Sequence, residues 1–66
     1  MKIAYFPDTD TLYIELRSTD VVDTRDLDAR TVADLDDRGE VVALTFEQAR
    51  SRADLAHLAV DMPSAA

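Results

Sequence analysis

The side chains in this 66-residue chain that could do chemistry are mostly carboxylates, and they gather at two turns. Asp8 and Asp10 follow Pro7, while Asp34, Asp36 and Asp37 precede Gly39. Two carboxylates act as an acid–base pair only when fixed around a substrate in a concave site that separates their pKa values. A Pro-Asp-Thr-Asp turn offers no such site, and its aspartates are better suited to accept hydrogen bonds from nearby backbone N–H groups. In the second cluster, Asp34, Asp36 and Gly39 match the first, third and sixth positions of a calcium loop. The match then breaks. Arg38 puts a cation where an oxygen ligand belongs, and Thr45 stands where the bidentate glutamate is required. The segment reads as an acidic hairpin turn. Ser51, Asp54 and His57 are the residue types of a nucleophilic triad. On a helix, however, Ser51 and His57 face different sides, and only Asp54 and His57, three apart, can meet. No catalytic, cofactor-binding or metal-ligating residue is assigned, and an enzyme is not expected.

Tyr5 and Tyr13 point to binding instead. Tyr13 alternates out of phase with Leu12, Ile14 and Leu16, so it stands on the face the core does not need. Val41 and Ala43 are expected to share that outer face. A partly apolar second face with tyrosines suits an interface, because the ring combines a large contact area with a polar handle. A tyrosine covering the sheet edge of a monomer is the plainer alternative. The candidate interface is Tyr5, Tyr13, Val41 and Ala43.

The elements that must position these residues are short strands. Ile3 to Phe6 is apolar, Pro7 to Asp10 is a turn, and Thr11 to Leu16 alternates cleanly. Val21 to Leu27 has no clean face and suits an edge strand, whose charges discourage sheet-to-sheet association. Thr31 to Asp36 sets Ala33 and Leu35 against Val32 and Asp34. Gly39, the only glycine, marks a tight hairpin turn. Glu40 to Phe46 is apolar on both faces, with Val42, Leu44 and Phe46 on one side, so it should be central or covered twice. From Glu47 the period becomes helical through Ala49, Ala53 and Ala56, with a capping box at Ser51–Asp54 that places a break near Ser51. A continuous helix over 47–59 is the alternative. Such a helix would cover the Leu12/Ile14/Leu16/Val42/Leu44/Phe46 face. The reading is a single domain over 1–60 with a frayed tail at 61–66.

Size and charge narrow the partners. A chain this short buries only about 60% of its unfolded surface. With no cysteine and one histidine, neither a disulfide nor an ordinary zinc site can staple it. Tight packing or oligomerisation must serve, and a homodimer is the expected assembly. Fourteen acidic residues against seven basic ones leave a formal charge of −7, which argues against nucleic acid or an anionic membrane as partner. No apolar run is long enough to span a bilayer and no signal peptide is evident, so a cytoplasmic location is expected.

Two segments carry a resemblance. Tyr5-Phe-Pro-Asp-Thr-Asp-Thr-Leu-Tyr-Ile14 is similar to a Tyr-Asp-Pro-Glu-Ala-Asp-Ala-Leu-Tyr-Ile pattern. Leu35-Asp-Asp-Arg-Gly-Glu-Val-Val-Ala-Leu-Thr-Phe46, followed by Glu47 to Ser51, is similar to an Asp-Glu-Asp-Gly-Arg-Val-Val-Gly-Ile-Glu-Ile pattern with a closing Ala-Ser. Together and in this order they resemble the DUF2283 family of small bacterial proteins of unknown function, over about residues 1–52. Phe6, Ala43 and Arg50 depart from the pattern, and the extension through Leu58 is longer than usual. The resemblance implies a small sheet plus helix and no known enzyme activity, and it brings no catalytic residue.

The expected fold is therefore α+β: a small antiparallel β-meander of four to five strands with a C-terminal α-helix packed on one face. The expected role is a non-enzymatic, homodimeric or protein-interaction module needing no cofactor. An acidic accessory partner that neutralises a basic or nucleic-acid-binding protein is the alternative. A small metal-dependent enzyme is the remote one.

Overall fold

Five strands form one antiparallel sheet in a computed structural model, which describes residues 1–64. They are β1 (Lys2–Phe6), β2 (Thr11–Glu15), β3 (Asp23–Asp28), β4 (Thr31–Leu35) and β5 (Val41–Glu47), in the spatial order β1-β2-β5-β4-β3. The sheet is not a simple meander. A β1–β2 hairpin lies on one side of β5, and β3-β4-β5 run as a meander on the other. The β2–β3 connection must therefore pass from the middle of the sheet to its far edge. It is pinned at both ends: Leu16 N–H donates to Val42 O (2.8 Å) and Val22 N–H to Leu35 O (2.9 Å). Arg17 also pairs with the Asp36 carboxylate.

The central position of β5 follows from its sequence. A strand hydrogen-bonded on both edges and apolar on both faces loses least by being placed inside. Val42 and Ala43 point to opposite sides, and each is 1% exposed. β3 carries Asp23, Arg25, Asp26 and Asp28, is exposed throughout, and forms an edge. Both outer ladders onto β4 are irregular: the β3–β4 register shifts between Asp26 and Asp28, and the β4–β5 register shifts between Asp34 and Leu35. Gly39 has φ 79°, as the tight β4–β5 turn requires.

The expected C-terminal helix is absent, so the fold is all-β and the α+β expectation is corrected. After β5 there is one 3₁₀ turn, Ala49–Ser51, and no α-helix among the described residues. The reason is local. Gln48 adopts a left-handed conformation (φ 53°), which breaks the path from strand into helix. Asp10 then captures the first donors: its carbonyl takes Ala49 N–H (2.9 Å) and its carboxylate takes Arg50 N–H (3.0 Å). What remains is shorter than the roughly 12 residues an isolated helix needs, and its apolar stripe is mostly alanine, which buries little area. Ser51 does not cap. Its hydroxyl donates to Gln48 O at 3.0 Å.

Candidate functional site

Residues directly opposite in antiparallel pairs share a face, so the registers sort every strand position. Ile3 pairs with Ile14 and Tyr5 with Leu12. Ile14 and Leu12 pair in turn with Leu44 and Phe46, which pair with Ala33 and Thr31. These residues make one continuous apolar face. On the reverse side, Ala4 pairs with Tyr13, Tyr13 with Thr45, Glu15 with Ala43 and Ala43 with Asp34. That reverse face is mixed, with carboxylates at Glu15 and Asp34.

The sequence-derived interface residues are therefore divided. Tyr5 lies on the apolar face, while Tyr13 and Ala43 lie on the reverse. Val41 sits at the irregularity in the β4–β5 ladder, where it pairs with Leu35. Ala43 is fully covered, whereas Tyr13 and Val41 are half-buried. The Tyr13 phenol is pushed above its ordinary pKa by burial and by the nearby charges of Glu15 and Asp34. Tyr5 is tied down: its hydroxyl donates to Asp10 Oδ1 at 2.7 Å. That bond raises the tyrosine pKa and lowers the aspartate's.

Without a helix, the apolar face is only partly roofed. Ala33 and Leu35 are buried, but Ile3 and Leu16 remain 43% exposed at the margins. The chain after β5 crosses the β1–β2–β5 side and leaves two shallow grooves. One is about 210 Å³ and is lined by Leu12, Ile14, Phe46, Ala49, Arg52 and Ala53. The other is about 280 Å³ and runs from Ile3 and Tyr5 to Leu55 and Leu58. Both are small, at or just under the ~300 Å³ at which small-molecule sites begin. Arg52 anchors the crossing segment. Its guanidinium lies 5.5 Å from the Phe46 ring centroid and donates to Arg30 O (2.6 Å), Glu47 O (3.0 Å) and the Thr31 hydroxyl. The sequence reading missed Arg52, because an arginine in a presumed helix carries no sign that it will lie across a sheet.

Of the carboxylates considered for chemistry, Asp10 and Asp36 are spent on turns. Asp36 accepts the N–H groups of Arg38 and Glu40, both at 2.9 Å, besides its ion pair with Arg17. Those donors, Glu40 N–H first, hold its pKa below the usual carboxylate range. Asp10 ties the β1–β2 turn to the segment after β5. Asp34 points to the reverse face, where the Thr24 hydroxyl lies 3.5 Å away. Asp54 and His57 do meet, at 3.1 Å, on exposed chain. The Ser51 hydroxyl is engaged elsewhere. Among the described residues, no three His, Cys, Asp or Glu side chains gather as a metal ion would need, and no helix is long and apolar enough to cross a membrane.

No curated protein and no solved structure is detectably similar to the chain. A family model described as a protein of unknown function, DUF2283, matches residues 2–50, a span from β1 into the 3₁₀ turn that Asp10 ties to the β1–β2 turn, and the chain belongs to that family.

Proposed function

We propose that the protein is a non-enzymatic interaction module that self-associates through the apolar face of its sheet. The observation that carries this reading is the amount of surface left over. A compact 7.3 kDa monomer exposes about 4,200 Å², whereas this chain exposes 5194 Å². Its radius of gyration is 13.3 Å, against about 11 Å for a compact chain of this length. The excess of about 1,000 Å² is close to the ~800 Å² that each partner buries in a standard interface. The chain measures 38 × 34 × 18 Å, dimensions to which the exposed segment after β5 contributes along with the sheet. Two such sheets stacked about 10 Å apart would give the second layer that a half-apolar sheet needs.

Sedimentation at micromolar concentration tests the reading: a dimer is expected, and a stable monomer would refute it. Two substitutions then identify the face. Ile14→Lys, on the apolar side, should shift the equilibrium to monomer by at least tenfold. Tyr13→Lys, on the reverse side, should leave it nearly unchanged, and the opposite pattern would move the interface to the Tyr13/Ala43 face. Circular dichroism must show both variants folded.

A second reading draws on β3, whose exposed edge carries Asp23, Asp26 and Asp28. That acidic edge supports a role as accessory partner to a basic protein, and such binding should weaken steeply with salt. Salt-insensitive binding to basic proteins would count against it.

A further inference from the structure

We infer that Leu58–Met62 of one copy adds as a sixth, antiparallel strand to the free edge of β1 in a second copy, with Val60 opposite Ile3 and Asp61 opposite Lys2. The inference rests on self-association and names the segment that completes it. Leu58, Val60 and Met62 are 72%, 71% and 84% exposed, and they recur every second residue. That is a strand pattern with no sheet to join. The last backbone hydrogen bond is from His57 N–H to Asp54 O, and Leu58–Met62 make none among the described residues. β1, for its part, is paired only with β2, through five regular register pairs, and leaves its outer edge open.

The choice between edges follows from charge and regularity. β3 would set Asp23, Asp26 and Asp28 against Asp61, and its irregular ladder with β4 discourages another strand. β1 carries the chain's only lysine, Lys2, and no acid. In the proposed register Met62 faces Met1, Asp61 faces Lys2, Val60 faces Ile3, Ala59 faces Ala4 and Leu58 faces Tyr5. The side chains of Leu58, Val60 and Met62 then extend the apolar face, and the Lys2–Asp61 pair falls on the reverse. A slip of one residue would bring Asp61 onto the apolar face. A parallel strand that kept Asp61 opposite Lys2 would leave Leu58, Ala59 and Val60 beyond the start of β1. Pro63, with no N–H to donate, ends the ladder at the right place.

Reach permits exchange between copies. Within one chain Leu58 lines the groove beside its own Ile3 and Tyr5, a contact that exchange replaces with the same residues of the second copy. The linker is the chain between the Arg52 anchor and Leu58: residues 53–57 cover about 16 Å when extended, enough to cross the roughly 10 Å between stacked sheets and free Leu58–Met62 to pair along the partner's edge.

The chain has no cysteine, so the register can be read by cross-linking. An Ala4→Cys chain is mixed with an Ala59→Cys chain under mild oxidation, and the linked peptides are mapped by mass spectrometry. A disulfide joining position 4 of one chain to position 59 of the other is expected, several-fold in excess over the link formed when Asp61→Cys replaces Ala59→Cys. Asp61→Lys should weaken the dimer several-fold, and adding Lys2→Asp should restore it. A dimer that forms no 4–59 link overturns the exchange but leaves self-association standing. A double Ala4→Cys/Ala59→Cys chain that links only within itself overturns the exchange as well. A monomer in sedimentation overturns both.

Discussion

Asp10, Asp28 and Asp36 show how this acidic chain uses its carboxylates. Each accepts backbone N–H groups at a turn, and each has its pKa lowered, Asp10 chiefly by the Tyr5 hydroxyl and the other two by backbone donors. A folded-state pKa below the unfolded value means that the ionised form stabilises the fold. That stability is fully present above pH about 4 and is lost as pH falls through the depressed folded values. Acid unfolding followed by circular dichroism should therefore begin below pH about 4. Asp36→Asn should be less stable at neutral pH and should show a shallower acid dependence. At the other extreme, Tyr5 and Tyr13 have raised pKa values, so their neutral forms stabilise the fold. That contribution is present below pH about 10 and lost as pH rises through the folded values. The turn role of Asp8–Asp10 was legible from Pro7 and the spacing. The long-range part was not, because nothing near Asp10 in sequence indicates that Arg50 will arrive there.

At the scale of elements, the five strands were readable because each rests on local alternation or on a turn residue with a specific conformational need. Gly39 is the clearest case. A Cβ added there meets nothing within 4 Å, so Gly39→Ala should cost only the strain of a left-handed backbone, about 1 kcal/mol in a denaturation titration. The segment after β5 was misread for the converse reason. Its alanine spacing is helical, but alanines bury too little to hold a helix once Gln48 turns left-handed and Asp10 takes the leading N–H groups. Arg52 holds that segment to the sheet instead. Arg52→Ala removes the contact with Phe46 and the bonds to the carbonyls of Arg30 and Glu47, and should cost about 1–2 kcal/mol. It should also expose the groove beside Leu12.

At the scale of the molecule, the single half-covered sheet governs behaviour. If the apolar face is completed by a second copy, folding and association are linked, and the thermal midpoint depends on protein concentration. A tenfold rise in concentration should raise the midpoint by roughly 3–6 °C in calorimetry, and Ile14→Lys should abolish that dependence. A concentration-independent midpoint would mean that the single sheet is stable alone.

Alternation, turn chemistry and charge are local properties, and through them the sequence by itself determined the strands, the exposed acidic edge and the central character of Glu40 to Phe46. Strand order, the placing of Tyr5 and Tyr13 on opposite faces, and the loss of the helix depend on pairings between distant segments. The decisive contacts, Asp10 with Ala49 and Arg50 and Arg52 with Phe46, join residues whose proximity exists only after the sheet has formed. Only the tertiary structure could therefore decide that the apolar face is covered in part, by the segment after β5, and not by a helix.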